Sequence, residues 1–229
     1  RSRPPEAELT SGGIGEVQGP ICPAVTRAMV RAVKEQSRRR SFHGYGPEQG
    51  YQFLRQAISA ELTRRGAPGP ARGIFINDGA KSDLGGLLDL LAPGGDAVLC
   101  DPTYPAARDD CLIRGLRVIT VAGRPSNGFL PMPPPGDFAP DVIYLCSPGN
   151  PTGAVYTRDQ LAVWVEYALQ RESLLLFDAA YAPFLLDEAL PHSIYEIPYA
   201  KRCAIELGSF SKLAGFTGTR CGYAVLPAE

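Results

Sequence analysis

The run Leu207-Gly208-Ser209-Phe210-Ser211-Lys212-Leu213-Ala214-Gly215-Phe216-Thr217-Gly218-Thr219-Arg220-Cys221-Gly222 sets one lysine among hydroxyls, glycines and an arginine. Ser209 and Ser211 offer hydroxyls, the glycines let backbone N–H groups approach a ligand, and Arg220 brings a planar fork suited to phosphate. Lys212 then stands beside an anion site. A lysine fixed next to a bound phosphate points to a Schiff base with pyridoxal phosphate, in which the phosphate anchors the cofactor and the amine holds its aldehyde. From this window alone, a Ser/Gly surface loop with an ordinary lysine is the alternative.

Outward from that run, apolar stretches and turns alternate. Residues 142–146 read as a strand ending in Ser147-Pro148-Gly149-Asn150-Pro151-Thr152-Gly153, where prolines fix the turn and the Asn150 amide can donate to a ring oxygen. Thr157 caps an amphipathic helix with Leu161, Trp164, Val165 and Ala168 on its apolar side. Residues 174–178 read as a fully buried strand closing on Asp178, whose carboxylate needs a charged partner. A protonated pyridine nitrogen or a structural ion pair would serve, and Tyr181 follows three residues later. Residues 96–100 form another strand before Asp101-Pro102-Thr103-Tyr104-Pro105, where Tyr104 can lie on a planar cofactor or pack a Pro-rich turn.

Residues 73–77 read as a strand, and Asp78-Gly79-Ala80-Lys81-Ser82-Asp83 leads into a helix with Leu84, Leu87, Leu88 and Leu91. A strand, a glycine turn and a helix start bring free N–H groups to the carboxyl edge of a sheet, so Ala80 and Lys81 are expected to complete a phosphate cup. Residues 23–40 predict a helix closing on the basic run Arg38-Arg39-Arg40, placed to complement the helix dipole. A second helix carries Phe53, Leu54, Ala57, Ile58 and Leu62 on one face, and the Gly-rich loop between the two presents Tyr45 and Glu48. Strands are also expected at 116–121, 203–207 and 223–226, with a Pro/Gly-rich surface excursion at 123–140.

This alternation predicts a three-layer α/β/α fold with a mainly parallel central sheet and ligand groups at the strands' carboxyl ends. Residues 1–20 are expected to form an N-terminal arm and residues 21–229 one large cofactor-binding domain. The chain has 229 residues, 45% hydrophobic and 21% charged, enough to bury one large core. With 23 Lys and Arg against 24 Asp and Glu, the net charge of −1 supplies no field for nucleic acid or anionic lipid, so partners are expected to be small molecules. Apolar runs such as residues 174–177 are too short to cross a bilayer. Six scattered cysteines without a C-x-x-C pair, and two histidines, argue against a zinc site and for a reducing compartment, cytoplasm or plastid stroma. The start at Arg1-Ser2-Arg3-Pro4 suggests a processed or excised piece.

The motifs S-F-S-K-L-A-G-F-T-G-T-R-C-G, G-A-K-S-D, D-P-T-Y-P, N-P-T-G, D-A-A-Y and Y-G-P-E-Q-G together resemble the LL-diaminopimelate aminotransferases, within the class I aminotransferases of fold-type I pyridoxal-phosphate enzymes. The resemblance runs from Gly12 to Pro227 and implies pyridoxal 5′-phosphate as cofactor. It implies Lys212, Asp178 and Tyr181 as catalytic residues, and Ala80, Lys81, Tyr104, Asn150, Ser209, Ser211 and Arg220 as further cofactor contacts. Ile14, Gly15, Tyr45, Glu48 and Lys81 are implied on the substrate side, with Tyr45 and Glu48 reaching across a homodimer. The implied substrates are amino and keto acids, LL-diaminopimelate with 2-oxoglutarate in lysine biosynthesis. Cys221, Gly149 and Ala182 depart from the family pattern, but none replaces a residue given a role above. The small C-terminal domain, which carries the family's carboxylate-binding arginine, is expected to be absent. Another class I aminotransferase, a pyridoxal-phosphate lyase, or an inactive truncated domain remain the alternatives.

Overall fold

The computed structural model describes Gly15, Val17 and residues 19–67, 69–91 and 93–227. Most of the expected arm, including Ile14, lies outside the described residues. Among the described residues seven strands form one sheet: β1 (Ile74–Asn77), β2 (Asp96–Asp101), β3 (Arg117–Ala122), β4 (Val142–Cys146), β5 (Leu174–Asp178), β6 (Ala204–Ser209) and β7 (Gly222–Val225). Their order is β1-β7-β6-β5-β4-β2-β3. β3, β2, β4, β5 and β6 run parallel, while β7 is antiparallel to both β6 and β1. β1 therefore points the same way as β6, and its end at Asn77 joins the same edge of the sheet as Asp101, Cys146, Asp178 and Ser209.

The pleat assigns each strand residue to one of two covered faces. Ile143 and Leu145 of β4, with Leu175 and Phe177 of β5, meet Leu161, Trp164, Val165 and Ala168 of α5 (Arg158–Gln170). Val142 and Tyr144, with Leu176, face the other way and meet Leu84 and Leu88 of α3 (Ala80–Leu88) and Ala107 and Cys111 of α4 (Pro105–Ile113). Burial on both faces is why the central strands are unbroken apolar runs. Helix α2 (Gln52–Arg64) closes the β1 end, with Ile58 and Leu62 against Ile74 and Val225. The excursion after β3 is tied down by Pro131, whose carbonyl accepts from the Tyr156 hydroxyl at 2.8 Å and the Trp164 indole at 3.2 Å.

Several boundaries differ from the sequence expectation. Helix α1 (Pro23–Gln36) stops before Arg38-Arg39-Arg40, because Ser37 and Ser41 hydroxyls take the Lys34 and Glu35 carbonyls that would continue it, each at 2.8 Å. The basic run thus lies in the turns beyond the helix. Phe53 is exposed and stacks on Tyr51 instead of joining the buried face of α2. Helix α4, starting on a proline at its first position, was not anticipated. Lys212 sits on a short helix, α6 (Phe210–Leu213), because β6 continues to Ser209, whose hydroxyl caps that helix by accepting the Ser211 N–H at 3.1 Å. Among the described residues no helix is long and apolar enough to cross a membrane.

Candidate active site at the carboxyl edge of the sheet

The turn after β1 sets backbone donors and an arginine side by side at the carboxyl edge of the sheet. Gly79 is the N-cap of α3 at φ 141°, ψ 153°, a conformation open essentially only to glycine. Its N–H donates to Asn77 Oδ1 at 2.7 Å, and the Asn77 amide in turn donates to Asp83 one turn into the helix. Burial, then the nearby Asp78, pushes the Asp83 carboxyl up to about 7. The next N–H groups, those of Ala80 and Lys81, are first-turn donors without intrahelical acceptors. Arg220 lies directly over this turn: a Cβ on Gly79 would come within 2.4 Å of Arg220 Nη2. The other nitrogen, Nη1, donates to Ser211 Oγ at 3.3 Å and to the Thr217 carbonyl at 3.0 Å. The chain thus brings Gly79 and Ala80 at the start of α3 together with Ser211 and Arg220 from beyond β6, so that fork, hydroxyl and helix N-terminus lie side by side, while the Ser209 hydroxyl is taken up in capping α6.

Asp178 ends β5 with little of its surface exposed. Its Oδ2 accepts from the Tyr144 hydroxyl at 2.7 Å and its Oδ1 from the Ala180 N–H at 3.0 Å. Burial raises its pKa above the ordinary carboxylate range against the opposing pull of those two donors. Both donors are neutral, and among the described residues no cation pairs with it. A protonated ring nitrogen presented to this carboxylate would supply the charge partner that its burial calls for, so the residues present fit a pyridine ring.

Lys212 Nζ lies 5.8 Å from the centroid of the Tyr181 ring and donates to the Gly15 carbonyl at 2.5 Å. The sequence had set Gly15 on the substrate side, and the fold brings it to the lysine across nearly the whole chain. Tyr104, the residue before α4, is close enough to Tyr181 to act on its ionisation, and burial is the main reason the Tyr181 phenol is raised. Asn150 and Tyr181 line one open cleft of about 390 Å³ with Gly153, Phe184 and Leu185.

Some expected residues stand elsewhere. The Lys81 side chain leans on α4, with Nζ 3.6 Å from Asp110 Oδ2, a charge contact too long for a hydrogen bond. Tyr45 is fully exposed and Glu48 is exposed, both presented to solvent by the loop between α1 and α2. Tyr144 and the Asn77–Asp83 pair were missed by sequence reasoning. The signal for Tyr144 was available, since a hydroxyl inside an apolar strand must find an acceptor.

Residues 13–229 match the family Aminotransferase class I and II. The chain is 45% identical to an LL-diaminopimelate aminotransferase of Prochlorococcus marinus, spanning 99% of this chain and 58% of the relative. It is 44% identical to the enzyme of that name from Parabacteroides distasonis, over 98% of this chain and 57% of the relative. Among solved structures it resembles the L,L-diaminopimelate aminotransferase of Chlamydomonas reinhardtii, with a TM-score of 0.86 and 37% identity over 97% of this chain and 57% of that one. The chain therefore spans between half and two thirds of the length of these relatives. It belongs to the class I and II aminotransferases.

Proposed function

We propose that this aminotransferase chain holds pyridoxal 5′-phosphate and that the intact protein moves an amino group between LL-diaminopimelate and 2-oxoglutarate. The observation that carries the cofactor reading is what gathers at one edge of the sheet: an arginine–glycine turn with free backbone donors, a buried Asp178 with only neutral donors, and Lys212 Nζ 5.8 Å from the Tyr181 ring centroid. The substrate reading is supported by the two relatives at 44% and 45% identity.

When bound, pyridoxal phosphate supplies an aldehyde that condenses with amines and a ring that withdraws electrons from the α-carbon. Arg220, the Ser211 hydroxyl and the first N–H groups of α3 bind the phosphate and fix its register. Asp178 holds a proton at the ring nitrogen, because an anionic carboxylate there makes the cationic ring the favoured partner. Asn150 and Tyr181 address the ring oxygen, and Tyr104 covers a ring face. Lys212 Nζ would take the proton from the substrate α-carbon as general base and hand it back as general acid. Tyr45 and Glu48, exposed here, serve the active site of a second copy in a homodimer.

The test is the intact protein assayed with LL-diaminopimelate and 2-oxoglutarate, and then with aspartate and an aromatic amino acid. Preference for diaminopimelate is expected. Equal or better turnover of aspartate would overturn the substrate reading while leaving the cofactor site intact.

A further inference from the structure

We propose that Tyr144 is a positioning residue that keeps Asp178 anionic, and so fixes where the proton rests between that carboxylate and the cofactor's ring nitrogen. The inference rests on the cofactor reading above. Tyr144 is almost fully buried in β4, and its hydroxyl donates to Asp178 Oδ2 at 2.7 Å. Strand register sets the contact. Tyr144 pairs with Leu176 and Cys146 with Asp178, so the phenol reaches two residues along the strands, on the same face, to the carboxylate at the end of β5.

Each carboxylate oxygen then has one protein donor, Tyr144 on Oδ2 and the Ala180 N–H on Oδ1. A carboxylate in this apolar setting is otherwise driven toward its neutral form, which would take the proton from a pyridine nitrogen instead of leaving it there. The two donors act against that, since each stabilises the charged form. Ala180 donates through its backbone and is fixed by the turn. Tyr144 is the side chain that sets the balance. The titratable groups around Asp178 are Tyr144 and Cys146 from β4 and Tyr181 beyond its own strand, while β6 presents Leu207 in register with it. None of these is a cation, so the phenol is the strongest side-chain donor facing the carboxylate.

The Tyr144 phenol is itself raised, chiefly by burial and then by the adjacent carboxylate, so it stays protonated and donates throughout the working pH range.

The test uses the intact protein loaded with pyridoxal phosphate labelled with 15N in the ring. The ring-nitrogen chemical shift reads the proton position directly and does not depend on turnover. Tyr144→Phe should move that shift toward the unprotonated value. It should also lower kcat about ten- to a hundredfold, the effect of one lost hydrogen bond to a charged group, with KM for the amino donor little changed. A ring-nitrogen shift and kcat equal to those of the parent would overturn the proposal. Asp178→Asn is the control for the underlying reading: if it leaves the ring nitrogen unmoved, the pairing of Asp178 with the ring fails. If Asp178→Asn moves the signal and Tyr144→Phe does not, only the role of Tyr144 fails. Should Tyr144→Phe not fold, site-specific 3-fluorotyrosine at this position keeps the shape with a more acidic, stronger donor. It should move the ring nitrogen toward the protonated value, and an unmoved signal there overturns the proposal.

Discussion

Replacing Gly79 by alanine strikes the fold and the anion cup together, and the two effects separate. At φ 141° and ψ 153° the backbone is in territory that an alanine enters only under strain, at a cost of about 1–3 kcal/mol. The new methyl would sit 2.4 Å from Arg220 Nη2, so the guanidinium must move away. Arg220 then gives up its bonds to Ser211 Oγ and the Thr217 carbonyl, a net loss of about 1 kcal/mol in so exposed a setting. The summed cost to stability is about 2–4 kcal/mol, read as a lower urea midpoint with an unchanged slope. Displacing the fork from the phosphate removes a charge-assisted bond, so cofactor affinity should fall about 10- to 100-fold. Pairing Gly79→Ala with Arg220→Lys relieves the clash, because the thinner lysine stem can swing aside. The double variant should regain part of the stability and none of the affinity. Gly79→Ala with parental midpoint and an affinity within about twofold of the parent's would refute the contact between this glycine and Arg220 on which the cup is built.

Lys212→Ala should still bind pyridoxal phosphate through the cup but lose both borohydride trapping on the protein and all transamination; turnover near the parental rate would sink the assignment of this lysine. Asp178→Asn should lower the rate constant for α-proton removal by about 3–4 kcal/mol in barrier while cofactor affinity changes far less, as single-turnover kinetics would read. Glu206, almost fully buried on β6, accepts from the Ser193 hydroxyl at 2.5 Å and the Ile194 N–H at 2.9 Å, and burial pushes its carboxyl up to about 7. Its folded pKa lies above its unfolded value of 4.5, so the stability it contributes is complete below about 4.5 and is lost as pH rises through about 7. Urea unfolding from pH 5 to pH 8 should show a decline in the parent that is smaller by up to about 3 kcal/mol in Glu206→Gln, the remainder including the share of Asp83, whose carboxyl is also pushed up to about 7, and parallel curves would contradict the buried-acid reading.

The alternation of apolar runs with glycine and proline turns revealed the layered sheet because each signal is local, and the edge where chemistry gathers follows from parallel topology alone. Asp178, Asn150, Tyr104 and Lys212 were legible as strand-end residues for that reason. The ends of α1 and β6 were less legible, since side chains decide them: serine hydroxyls that take helical carbonyls after Lys34, and a Ser209–Gly222 pair that extends β6.

Least legible were the partners of buried polar groups. Tyr144 and Asp178 are 34 residues apart, and nothing in either strand says which acceptor the phenol will find. The register between β4 and β5 decides it. A slip of one residue would turn Tyr144 to the α5 face, among Trp164 and Leu161, and leave Asp178 without its side-chain donor. The same slip would exchange the two sets of β4 side chains between its two covered faces, so that Ile143 and Leu145 would meet the α3 and α4 side and neither face would keep its fitted packing. Packing therefore enforces the register that the hydrogen bond needs, and the phenol–carboxylate contact is secured by Ile143, Leu145 and Val142 as much as by its own two residues. It follows that a core substitution with no contact to the site, such as Leu145→Ala, would loosen the placement of Tyr144, whereas the turn that sets Gly79 and Arg220 would be left untouched.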